Sequence, residues 1–116
     1  MDPESPFAVI SAQLDAYNSH DVGRMMSYYA EDAVITDGDG KVLDEGREAI
    51  REAMSAVFDR IPDVRCEYRA PIEVGPWVAV LSVVPNWRVA GRQQEMRWLE
   101  VFHVIDGKIK ELRLHK

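Results

Sequence analysis

The chain has one cysteine and three histidines in 116 residues, and no apolar run approaches the length of a membrane span. A lone thiol, Cys66, excludes an internal disulfide and cannot by itself make a cysteine zinc site. It alternates with Val64 and Tyr68 and reads as a buried structural thiol. The histidines at positions 20, 103 and 115 have no metal-ligand spacing, and no Ser, His and Asp set or glycine-rich phosphate loop is recognisable. Asp37-Asp39-Gly40 lacks the further acidic ligands of a calcium loop. No metal or cofactor is implied. Positive charge is also scarce: 14 Lys and Arg stand against 20 Asp and Glu, a net charge of -6. That balance argues against a phosphate-tracking surface, so neither nucleic acid nor an anionic membrane is an expected partner. The acidic start, Met1-Asp2-Pro3-Glu4, has none of the basic character of a secretory signal, and a cytoplasmic address is the expectation.

What is present is apolar content enough for one core: 47% of residues are hydrophobic, which suits a single domain over residues 1–116 with residues 1–4 as a loose tail. Ser5-Pro6 signals a helix start, and Phe7, Ile10, Leu14 and Tyr17 recur at helical spacing up to Asn18-Ser19. Asp21 caps a short second helix with Val22, Met25 and Tyr29 inward. Ala33 to Asp37 is a short strand ending in a glycine-rich reversal. After Gly46, Ile50, Met54, Val57 and Phe58 share one face of a third helix that Pro62 stops. Extended runs follow at about Val64–Ala70, Trp77–Arg88, Gln93–Ile105 and Lys108–His115, joined by Val74-Gly75-Pro76, Ala90-Gly91 and Asp106-Gly107. Helices first and hairpin-linked strands second predict an α+β domain, with the helices on one face of an antiparallel sheet.

The run Trp77-Val-Ala-Val-Leu-Ser-Val-Val is apolar on both strand faces. The helices cover one face only, which predicts a homodimer through the other. The competing reading is a face shielded by the stems of Arg88, Arg97 and Lys110. His20 reads as a local helix-end residue, His103 as core or interface, and His115 as terminal.

Glu100 is the residue that points to chemistry. Met96, Trp98, Glu100 and Phe102 share one face of a strand, where an unpaired carboxylate is strongly disfavoured. A carboxyl there is either kept neutral or given a partner, and both outcomes suit an acid or a hydrogen-bond donor. The alternative is an outward turn towards Arg97 or Arg113 as a surface ion pair.

The element order, with Asp21, Tyr29-Ala30-Glu31-Asp32-Ala33-Val34, Asp37 and Gly46-Arg47-Glu48-Ala49-Ile50, resembles the nuclear transport factor 2-like superfamily over nearly the whole chain. Within it, the SnoaL-like and ketosteroid-isomerase-like branches are nearest. The resemblance implies a cone-shaped curved antiparallel sheet with three N-terminal helices on its concave face, a scaffold that hosts many activities. It implies that Asp37 stands where steroid isomerases hold a proton-shuttling carboxylate and Glu100 where they hold a second, protonated acid. Trp87 and Leu112 match pocket-lining positions. Gln13 replaces the phenolic donor, Met54 stands where one branch keeps a supporting tyrosine, and Tyr17 lies one turn on. On chemistry alone, Asp37 before Gly-Asp-Gly is a turn former, and Tyr17 a packing residue.

The function expected is therefore cofactor-independent acid-base catalysis, of isomerase, cyclase or dehydratase type, on a small apolar carbonyl-bearing or cyclic molecule. Asp37 would be the base and Glu100 the acid or donor. Trp87, Trp98 and Phe102 would exclude water, with Met54 and Leu112 in the lining and Gln13 or Tyr17 orienting an oxygen. Two alternatives stay open: a non-catalytic ligand-binding or accessory protein, and water activation of the epoxide-hydrolase kind, which wants an Asp-Arg or Asn-Tyr support set that the sequence does not reveal.

Overall fold

The computed structural model describes residues 5–116, so the expected tail at residues 1–4 lies outside the described residues. Helix α1 (Pro6–Asn18) begins as its local chemistry dictates: Ser5 accepts the Ala8 amide at 3.2 Å and proline takes the first turn. Its buried stripe is Val9, Ile10, Gln13 and Ala16, with Phe7 and Tyr17 packed against the same core from its flanks. Asp21 caps α2 (Val22–Met26), accepting from the Arg24 amide at 3.1 Å. Helix α3 (Arg47–Arg60) follows Gly46, whose φ of 90° favours glycine. Ile50 anchors it with no exposed surface.

Six strands form one sheet: β1 (Tyr29–Asp37), β2 (Val42–Glu45), β3 (Glu67–Val74), β4 (Trp77–Val89), β5 (Arg92–Ile105) and β6 (Lys108–His115), in the order β2-β1-β6-β5-β4-β3. Two expectations need correction. Tyr29 opens β1 and does not extend α2; its spacing from Val22 and Met25 also fits a helix, but the backbone is already extended there. The sheet is mixed, because β6 pairs with β1 in parallel while every other pair is antiparallel. The chain leaves β1, crosses by β2 and α3 to the far edge, and meanders back until β6 lies alongside β1. The α+β architecture with three helices on the inner face of a curved sheet stands. Register shifts at Ile35/Thr36, Arg69/Ile72, Val84/Trp87 and His103/Val104 supply places where the sheet bends.

The inner face of the sheet gives Val78, Val80, Phe102, Val104, Ile109 and Leu112 to a core closed by Val9, Ile10, Ala16, Met25, Met26, Tyr29 and Ile50. A second cluster, Ile61, Val64, Cys66 and Val84, carries Trp87, Met96 and Trp98 on its flank. The outer face leaves Ile72, Trp77, Leu99 and Ile105 exposed. His103 lies there, stacked on Trp77 at 4.1 Å. His20 follows the C-cap Ser19 of α1, its Nε2 2.9 Å from the Val64 carbonyl and its ring stacked on Phe58. His115 is paired with Leu99 in the sheet and packs against Gly38.

Candidate active site

Between the helices and the inner sheet face is a cavity of about 220 Å³. Its apolar lining is Leu14, Met25, Ile35, Met54, Val57, Val84, Leu112 and Leu114, joined by Trp87, Met96, Trp98 and the terminal Lys116. The polar residues converge from separate elements: Gln13 and Tyr17 from α1, Tyr29 from β1, Cys66 and Tyr68 from the chain entering β3, Ser82 from β4 and Glu100 from β5.

Glu100 faces this cavity and is 6% exposed. The outward ion pair does not form: Arg97 binds Glu95 at 2.9 Å and Arg113 binds Glu111 at 3.2 Å. Trp98 Nε1 donates to Glu100 Oε2 at 3.1 Å. Desolvation pushes the carboxyl above its ordinary range, and Ser82, Trp98 and Tyr68, which face it as donors, pull part of the way back. Burial likewise raises the phenols of Tyr17, Tyr29 and Tyr68, with the Glu100 charge adding to each. It pushes the Cys66 thiol up to about 12, against the opposing effect of Ser82, whose Oγ lies 3.0 Å from Cys66 Sγ. The thiol is therefore a neutral wall group near neutral pH.

Gln13 joins two of the phenols. Its Nε2 donates to Tyr68 Oη at 3.0 Å, and its Oε1 accepts from the Tyr29 hydroxyl at 3.0 Å. Tyr17 lines the cavity, packed edge-on to Phe58 at 5.2 Å. Trp87 and Trp98 meet edge to face at 5.8 Å, with the Arg60 guanidinium 4.8 Å from the Trp87 ring centre.

Of the residues expected from sequence, Glu100, Gln13, Tyr17, Met54, Trp87, Trp98 and Leu112 are brought together in this lining, and Asp37 and Phe102 are not. Phe102 has the expected strand phase but lies fully buried in the core below, 5.9 Å from the Tyr68 ring. Asp37 is corrected more substantially. Its Oδ1 accepts the amides of Asp39 and Lys41, each at 2.9 Å, so the carboxylate is committed to the β1–β2 turn. It lines a neighbouring depression with Asp39, Leu43 and His115, which shares Leu114 and Lys116 with the cavity. Register explains both the expectation and its failure. Leu114 of β6 pairs with Asp37 on one side and Glu100 on the other, which puts the two acids in one row, about 10 Å apart at the usual strand spacing, with a leucine between them.

Among the lining residues that the sequence did not single out, Tyr29, Cys66, Tyr68 and Ser82 carry polar groups close to Glu100. Ser82 had a legible signal, as the one hydroxyl inside an otherwise apolar run, and the alternation of Cys66 with Tyr68 already placed both on one face. Among the described residues, no cluster of His, Cys, Asp and Glu has the geometry of a metal site, and no helix is long and apolar enough to cross a membrane.

Residues 10–112 match the SnoaL-like domain model. With the curved mixed sheet and three covering helices, this establishes that the chain belongs to the SnoaL-like family and has a nuclear transport factor 2-like, ketosteroid-isomerase-like fold. Similar solved structures include a cystatin-fold protein from Novosphingobium aromaticivorans, at 25% identity and TM-score 0.87, covering 97% of this chain and 98% of that one. A loop-truncated variant of IdmH, the wild-type protein coming from Streptomyces antibioticus, aligns at 26% identity and TM-score 0.80 over 95% of this chain and 91% of its own. TerC, crystallised with polyporic acid, shares the fold at 19% identity and TM-score 0.78 over 94% and 88% of the two chains. No curated protein matches the chain.

Proposed function

We propose that this protein is a cofactor-independent acid-base enzyme of cyclase or isomerase type, acting on a small, largely apolar carbonyl-bearing or cyclic molecule, with Glu100 as its proton-transfer group. The observation that carries the reading is a carboxyl buried in an apolar cavity and raised by desolvation above its ordinary range, which suits it to hand a proton to a bound ligand and to take one back. Tyr17 orients a ligand oxygen, and Trp87 and Trp98 keep bulk water from the reacting carbon. The name of IdmH as a proposed polyketide cyclase, and polyporic acid in the TerC crystal, support an enolisable, ring-forming substrate class. With Asp37 held in its turn, a single carboxyl that alternates between acid and base replaces the two-acid division expected from sequence.

The test needs no known substrate. Enolisable cyclic ketones and poly-β-ketone mimics are incubated in deuterium oxide, and exchange at the α-carbon is followed by NMR. The expected result is exchange or cyclisation above buffer that Glu100→Gln abolishes while ligand binding persists. Exchange equal in wild type and variant overturns the assignment to Glu100.

A second reading, a non-catalytic binding protein, is favoured by one observation: the cavity lining contains one carboxyl only. It predicts tight apolar binding with no exchange for any binder. The epoxide-opening reading has no comparable support, since no arginine or second acid stands in the lining. For assembly, the exposed Ile72, Trp77, Leu99 and Ile105 support a homodimer through the outer sheet face.

A further inference from the structure

The hydrogen bonds around Gln13 have a fixed polarity. The Ile10 carbonyl can only accept, so the Gln13 side-chain atom 3.3 Å from it is the amide nitrogen. The same nitrogen lies 3.0 Å from Tyr68 Oη, which must therefore accept. The amide oxygen, 3.0 Å from Tyr29 Oη, must accept in turn, which commits the Tyr29 hydrogen. The Tyr68 hydrogen remains to be placed. Register sets Tyr68 opposite Ser82, Ser82 opposite Trp98, and Glu100 one same-face step further along β5. On that side of the Tyr68 hydroxyl stand the Ser82 hydroxyl and the Glu100 carboxyl, and Glu100 is the one acceptor in the cavity lining that can carry a negative charge and so draw the stronger hydrogen bond.

We propose that Gln13 is a positioning residue that directs the Tyr68 hydroxyl hydrogen to Glu100, so that Glu100 and Tyr68 act as one acid-base pair in the cavity. The inference rests on the acid-base reading only for the claim that the pair moves protons on a ligand; the direction of the hydrogen bonds holds for a binding cavity as well. Its chemical consequence is directional. When Glu100 is ionised, Trp98 Nε1 and Tyr68 Oη both donate to it. When Glu100 picks up a proton from a ligand carbon or oxygen, those two donors are already aimed at the carboxyl, and the new O–H is left facing the cavity. It can then be returned to a second ligand atom without reorganising the wall. Tyr17 is outside this relay: among the described residues its hydroxyl has no hydrogen-bond partner, which leaves that phenol for the ligand.

The groups facing Glu100 are few. They are Gln13 and Tyr17 from α1, Tyr29 from β1, Cys66 and Tyr68 from the β3 side, Ser82 from β4, Trp98 from β5 and Lys116 after β6; α2 and α3 bring only Met25, Met54 and Val57. A titration read at this carboxyl is therefore assignable. The Trp98 indole N–H, 3.1 Å from Glu100 Oε2, serves as the reporter in 15N–1H spectra of the ligand-free protein across pH, and Glu100→Gln identifies the transition. Tyr68→Phe, which removes one oxygen and preserves shape, should raise the midpoint by about one pH unit, a tenfold gain in proton affinity of the size expected for a lost hydrogen bond to a charged group. Gln13→Met should raise it by a smaller step, and should add nothing in the Tyr68→Phe background. Tyr29→Phe should leave it within about 0.3 unit, because its hydrogen never reaches Glu100. An unchanged midpoint in Tyr68→Phe overturns the proposal, as does a Gln13→Met shift of equal size with and without the Tyr68 hydroxyl. The Tyr68→Phe result decides the pair even if Gln13→Met does not fold. No substrate enters this experiment, so its failure is separate from a failure of Glu100→Gln to change turnover.

Discussion

Replacing Glu100 by Gln should stabilise the protein at about pH 8 and leave its stability nearly unchanged at about pH 4. Burial is the leading cause holding the folded carboxyl above its ordinary range, ahead of the hydrogen bonds from Ser82, Trp98 and Tyr68 that oppose it. A folded pKa above the unfolded value, near 4.3 for glutamate, means that the native state holds the proton more tightly. The stability contributed by this group is fully present below the unfolded pKa and is lost as pH rises through the folded one. Gln is close in shape, its Oε1 still accepts the Trp98 hydrogen, and its amide hydrogens can be taken by the Ser82 or Tyr68 oxygens, yet it never pays the ionisation penalty. Each unit of elevation corresponds to about 1.4 kcal/mol, and for a domain of this size about 1 kcal/mol moves Tm by roughly 4 °C. The assay is paired urea and thermal unfolding of wild type and variant at three pH values, which cancels every other titrating group in the difference. A gain at alkaline pH that shrinks towards zero as the solution is acidified is the expected result. Equal stability at about pH 8, or a gain that grows on acidification, would refute the account of Glu100 as a desolvated acid.

Local chemistry made much of this fold legible. Ser5-Pro6 and Asp21 start their helices as read, because capping is settled within four residues of chain. The phase of Trp98, Glu100 and Phe102 was equally readable, since strand alternation is a local rule and β5 keeps it without a break across those positions. Non-local facts were hidden. The parallel β1–β6 pair joins segments far apart in sequence, and no motif inside either strand announces which way its neighbour will run. The site was half legible for the same reason. Glu100 betrays itself by being a carboxyl among aromatics, whereas the network that tunes it, Gln13 with Tyr29 and Tyr68, is assembled from three elements and exists only after folding. Asp37 shows the limit most clearly. Its place at the end of the first strand and its chemistry as a turn former were both legible, and the amides of Asp39 and Lys41 that hold its carboxylate lie in its own neighbourhood; what that neighbourhood does not reveal is Leu114, which stands between it and Glu100.

Phe102→Ala should cost about 3–5 kcal/mol, the usual range for emptying a fully enclosed phenylalanine site, measured by urea unfolding; a loss below about 1 kcal/mol would show that the core collapses to fill the gap. Leu99→Asp places a charge in the exposed apolar outer face, and light scattering should show a dimer mass falling to that of a monomer, while a monomeric wild type would remove the dimer proposal. Asp37→Asn separates the one-carboxyl site from the two-carboxyl arrangement of the related isomerases. The amide oxygen keeps both backbone hydrogen bonds now made by Asp37 Oδ1 at 2.9 Å, though without charge assistance, so the loss of stability should be about 1 kcal/mol or less. Because Leu114 lies between Asp37 and Glu100 in the sheet, the substitution should leave both ligand affinity and α-carbon exchange at the wild-type level. Should Asp37→Asn instead abolish exchange while binding persists, the ligand must reach past Leu114 to the turn, and Asp37 returns as the base with Glu100 as its partner acid.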